Sequence, residues 1–128
     1  MRRLVPVVVL ALLAAGCSSY KAKVVSPVPG STLVTQTVPA VPPEYANGDP
    51  AAGKEVFETA GCKACHTLAA ADATGTIGPN LDTLKPPLGT VVHQVLNGGG
   101  GMPPFKTQLT AKQVADVAAF VVQSTSGG

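Results

Sequence analysis

From Ala46 onward, apolar residues recur at helical spacing in three stretches of this 128-residue chain. In the first, Asp49 suits an N-cap and Pro50 the first helical position, and the run AAGKEVFETA leads to Gly61, where a glycine fits a helix C-terminus. Gly53, Val56, Phe57 and Ala60 then share one face. The second stretch covers Thr90 to Asn97, with Val91, Val92, Val95 and Leu96 on its apolar side, and the four glycines 98–101 stop it. Thr110 opens the third with Gln113 as a capping-box partner, and Val114, Val117, Ala118, Val121 and Val122 form a stripe that frays at SGG. Between the first two helices lies IGPNLDTL at 77–84, after a loop rich in Ala and Thr. Alternating strand patterns are missing from the whole region, so the expected class is all-α with long loops.

Upstream the pattern changes. Arg2 and Arg3 precede an apolar run from Leu4 to Ala15, broken by Pro6, which is too short to span a membrane comfortably and fits a signal segment at 1–16. The run ends in LAAGC, which resembles the lipobox of bacterial lipoproteins, with Cys17 as the lipidated first residue after cleavage. Ala14 departs from that pattern, where leucine is commoner; ordinary cleavage nearby and an uncleaved anchor are the competing readings. Residues 18–44 are rich in Ser, Thr, Val and Pro and show no helical period. With Cys17 they form an expected tether over 17–45, ahead of a domain at 46–128. That tether would reach about 90 Å if fully extended, or about 30 Å as a flexible coil. An edge strand at 24–36 is the alternative, weakened by its prolines.

Charge excludes one large class. Without Arg2 and Arg3, seven lysines face seven acids, and from Ala46 onward five lysines face six acids. Such a balance lacks the footprint of a nucleic-acid binder. Trp is absent, with only two Tyr and three Phe, so aromatic packing is thin. A domain of about 80 residues with so little aromatic mass is marginal unless something flat and apolar completes its core.

The motif CKACH at 62–66 supplies a candidate. Two cysteines spaced by two residues, with histidine directly after, is the arrangement that attaches a c-type haem. One helical turn brings Cys62 and Cys65 to one edge of the porphyrin as thioethers, and His66 reaches the iron as an axial ligand. A dithiol redox site would want a βαβ context, which the pattern lacks. A structural zinc site needs four ligands, and outside the motif only Cys17 and His93 remain. Two inert buried cysteines are the bland alternative. The three cysteines are used up as one lipid site and two haem sites, leaving none for a disulfide.

With these residues in place, 46–124 resembles a small class I cytochrome c, similar to bacterial lipoprotein and photosynthetic-type members. The resemblance implies helices wrapped around one covalent haem c, with the first and last helices crossing near the CXXCH edge. Gly53 and Phe57 match the small and aromatic positions of that crossing, and Phe120 matches the aromatic of the last helix. GPNL at 78–81 implies that the Pro79 carbonyl accepts a hydrogen bond from His66, which orients the ring and strengthens it as a ligand. As bare sequence G-P-N is also simply a turn. NGGGGMPPF at 97–105 looks like the family's distal loop, with the Met102 sulfur as sixth ligand favouring ferrous iron; a buried gap-filler is the plainer role. His93 groups with Thr90 and Asn97 on the side away from the apolar face, which suits a solvent-facing imidazole.

The function so implied is that of an exported, lipid-anchored, monomeric electron carrier, not an enzyme, working between respiratory or photosynthetic redox proteins outside the cytoplasmic membrane. An electron-entry subunit of a larger oxidoreductase is the first alternative. A haem-based gas sensor is the second, and it would need a polar distal donor that the Met102 loop does not offer.

Overall fold

A computed structural model describes residues 37–127 of the chain. The signal segment, Cys17, the tether as far as Gln36 with its alternative edge strand, and Gly128 lie outside them. Among the described residues four α-helices carry the architecture: α1 (Pro50–Thr59), α2 (Leu81–Leu84), α3 (Leu88–Asn97) and α4 (Ala111–Ser126). Three of them start at a side-chain cap. The Asp49 side chain accepts from the Ala51 N–H, with Pro50 following, where its missing N–H costs nothing. The Asn80 side chain accepts from Thr83 N–H to open α2. Thr110 and Gln113 close a reciprocal capping box at α4. Pro87 gives α3 no side-chain cap, and the helix begins at Leu88, two residues ahead of the stretch that the valines delimit.

Helices α1 and α4 cross at their small residues. A Cβ added at Gly48 would overlap the backbone carbonyl of Ala115, and one at Gly53 would overlap that of Asp116, so the backbones approach as only glycine allows. Phe57 and Phe120 meet beside this contact, ring centroids 5.8 Å apart and tilted by 65°, an edge-to-face pair. Val114, Val117, Ala118 and Val121 are buried from α4, whereas Val122 is half-buried at the edge of the stripe. Asp116 is buried in the same face. Its carboxylate accepts from the Asp49 N–H at 2.7 Å and from Lys112 Nζ at 2.9 and 2.8 Å. Burial pushes this carboxyl up, but the Asp49 hydrogen bond and the Lys112 ammonium outweigh it and hold it below the usual carboxylate range.

Two features go beyond the helical pattern. A ladder of β1 (Thr67–Leu68) and β2 (Ala73–Thr74) closes antiparallel around the short turn 69–71, with Asp72 in the left-handed region at φ 49°. Leu68, Ala71 and Ala73 are buried beneath it. Two residues per strand are too few to leave an alternating pattern in the sequence. The packed body also extends upstream of Ala46. Val41 and Tyr45 pack against the core, and a short 3-10 turn at Pro43–Tyr45 lies on α4. Among the described residues no helix is long and apolar enough to cross a membrane.

Candidate haem-binding site

Gly61 ends α1 with φ 84°, turning the chain directly into a 3-10 turn at Cys62–Ala64. Inside the motif the Cys65 and His66 N–H groups both donate to the Cys62 carbonyl, at 3.2 and 3.1 Å. That winding puts Cys62, Cys65 and His66 on the wall of one cavity of about 630 Å³. Burial pushes the Cys62 thiol above its ordinary range, and Cys65 beside it adds to the effect, with a backbone hydrogen bond opposing both.

The segment 75–80 folds under His66. The Gly78 N–H donates to Cys65 O at 2.7 Å, and Thr67 Oγ1 donates to Gly75 O at 2.8 Å. His66 Nδ1 lies 2.9 Å from Pro79 O. A carbonyl only accepts, so Nδ1 carries a proton, and in the neutral ring that tautomer leaves the Nε2 lone pair for a ligand bond. A Cβ at Gly78 would stand 2.6 Å from His66 Cε1, so the ring rests on bare backbone.

The opposite wall comes from α3 and the loop after it. Thr90, Val91, Gln94 and Val95 line the cavity from the helix. Gly98, Gly99, Gly100 and Gly101 all have positive φ, at 67°, 124°, 61° and 93°. They let the chain reverse at once, so that Gly99 N–H donates to Met102 O at 2.9 Å and Met102 N–H to Gly99 O at 3.1 Å. Met102 lines the cavity, half-buried. Two further bonds hold the loop to α3: Gln94 Nε2 to Gly99 O at 3.0 Å, and Phe105 N–H to Val95 O at 2.9 Å. Gln94 gave no sign of itself in the sequence, because an amide on a helix flank is ordinary until its partner loop is in place. His93 is exposed and does not line the cavity.

The donor set suits a haem c. Two thiols share a wall with an imidazole, a thioether sulfur lines the same space, and most remaining walls are apolar. Ile77 and Leu84 are 84% and 56% exposed, yet both line the cavity, as expected of side chains shaped to meet a large apolar group. Among the described residues no group of three or more His, Cys, Asp or Glu side chains is placed to hold a metal ion by itself, and a structural zinc needs four ligands.

Known proteins agree with that chemistry. Residues 48–121 match the family described as cytochrome C oxidase, cbb3-type, subunit III. Cytochrome c6 of Limnospira maxima is 38% identical over 89 residues, covering 63% of this chain and 99% of the relative. Cytochrome c6 of Leptolyngbya boryana is 38% identical over 84 residues, covering 62% and 98%. The crystal structure of the c-type cytochrome SorU from Sinorhizobium meliloti aligns with a TM-score of 0.56 at 42% identity, over 59% of this chain and 90% of that one. The chain therefore belongs to the small monohaem class I cytochromes c, electron carriers with one covalently bound haem c.

Proposed function

We propose that this carrier works while tethered to a membrane through lipid on Cys17, exported to the outer side, with Cys62 and Cys65 as the thioether attachments. In this reading His66 and Met102 would hold the haem iron. The observation that carries it is the shared cavity: both thiols, the imidazole and the thioether line one space. When bound, the haem supplies a one-electron ferric–ferrous couple. The chain's own work is to hold that group and set its surroundings. Pro79 keeps the His66 proton on Nδ1 and orients the ring. Met102 offers a neutral, soft sulfur, which favours the reduced state. Apolar walls from Val91, Val95 and Val117 exclude water. With His66 and Met102 both holding the group, no substrate would reach the metal, and electrons would pass to and from redox-protein partners in brief contacts.

Absorption spectra of oxidised and reduced protein, with and without carbon monoxide, test the ligation. A low-spin spectrum that carbon monoxide leaves unchanged supports it, and ready binding of the gas overturns it. The sensor alternative would need a polar distal donor; Gln94 lines the cavity, and one of its two amide N–H groups is spent on Gly99 O. For the anchor, Cys17→Ser should release the protein from the membrane fraction or stall it as precursor. Normal processing with unchanged membrane retention overturns lipidation.

A second reading has its own support, the description of the matching family as an oxidase subunit. In it the domain feeds electrons within one assembly. Stoichiometric retention of enzyme subunits after mild solubilisation favours that role, and isolation of the cytochrome alone favours the roaming carrier.

A further inference from the structure

The family match begins at residue 48, but the packed body does not. Residues 37–45 run back over the domain as a strap. At one end, a Cβ added to Gly89 would overlap the carbonyl oxygen of Pro39 and come within 3.3 Å of Val38 Cγ1, so the strap backbone lies directly on the first turn of α3. At the other, Val41 and Tyr45 pack into the core and the 43–45 turn rests on α4. Helix α3 starts without a side-chain cap, and a carbonyl oxygen beside a helix N-terminus meets a favourable dipole. The same helix lines the cavity, and its far end, about 15 Å away, carries the Met102 loop through Gln94 and Val95.

We infer that residues 37–45 form a brace that fixes the α3 wall and thereby positions the Met102 loop, with Gly89 as the positioning residue that lets the brace seat. The brace ties the end of the tether to the wall that carries the proposed sixth ligand. Release of the strap frees the N-terminal turn of α3, and a rigid helix passes that freedom to the loop at its other end. The inference rests on the reading of Met102 as the sixth ligand.

Two full-chain holoprotein variants test it. Gly89→Ala lifts the strap by overlap, although alanine is itself the better residue within a helix. Val41→Ser with Tyr45→Ser loosens the strap without touching α3. Limited proteolysis should show new cleavage within 37–45 in both. Carbon monoxide should then bind the reduced protein about tenfold faster than it binds the parent, the size of an ordinary coupling between sites, with a lower midpoint potential. Cleavage of the strap with parent-like carbon monoxide resistance and potential overturns the brace. A strap that resists protease in both variants also overturns it, because the Pro39–Gly89 contact and the packing of Val41 and Tyr45 on the core would then not be what holds it. Met102→Ala run in parallel separates the two failures. If it fails to admit carbon monoxide, the ligand reading falls; if it admits the gas and the strap variants do not, only the brace falls.

Discussion

The two walls of the cavity are built in opposite ways. On the His66 side, both thiols and the imidazole sit within five consecutive residues, and the ring is held by Pro79 O with Gly78 pressed against it. On the Met102 side, the donor stands alone at the end of four glycines with positive φ, tied to α3 by Gln94 and Phe105. One wall has little freedom to give. The other is a loop whose backbone sits where only glycine is comfortable, and it owes its shape to a few hydrogen bonds. If the haem is held as proposed, exchange of a ligand would belong to the Met102 wall and loss of the cofactor to the His66 wall.

The largest effect expected is from Cys62→Ala with Cys65→Ala. It removes covalent attachment, and an aromatic-poor domain of this size has little core left. The variant should then be nearly all unfolded or degraded. A cooperative thermal transition in a helix-rich apoprotein would mean that the polypeptide core alone suffices. Next comes Met102→Ala, which should leave the fold intact, lower the potential and turn carbon monoxide resistance into near-complete binding. His93→Ala, on the exposed face of α3, should change neither. The reverse pattern would assign the sixth position to the wrong residue.

Two glycine substitutions sharpen the contrast at smaller scale. Gly78→Ala drives a methyl to 2.6 Å from the His66 ring, which should cost about 1–3 kcal/mol of stability and disturb the spectrum. Gly100→Ala meets nothing within 4 Å, so its cost is the strain of φ 61° alone, about 1 kcal/mol, and it should ease carbon monoxide entry without altering the His66 side. Equal responses at both sites, read by thermal unfolding and gas binding, would erase the distinction between the walls.

The smallest effect tests a region remote from both. Asp116 is held below the usual carboxylate range, so its contribution is present above the unfolded pKa of about 3.9 and lost as the pH falls through the lower folded value. Asp116→Asn should cost about 1 kcal/mol at neutral pH and flatten the loss of stability below about pH 4. Because Asp116 does not line the cavity, neither spectrum nor gas binding should move. An unchanged acid-unfolding profile would show that the Asp49 and Lys112 contacts do not favour the ionised form.

What could be read in the chain was whatever is local. Asp49, Thr110 and Gln113 act within one turn of their own position, so the caps of α1 and α4 follow from spacing. Cys62, Cys65 and His66 gather because one turn separates them. The valines of α3 and α4 face the core because the 3.6-residue period leaves them no other side. The tertiary structure decided the rest. Asp116 lies on the buried face of its helix, where the Asp49 N–H, brought by the crossing of α1 and α4, joins the local Lys112 ammonium in making a charge tolerable. Gln94 became the staple of the Met102 loop once the glycines had turned Gly99 O toward it. Residues 37–45 have a tether's composition, yet Pro39 seats on Gly89 because that helix turn lacks a Cβ. Spacing along the chain reaches one or two turns, whereas contacts between distant segments depend on packing.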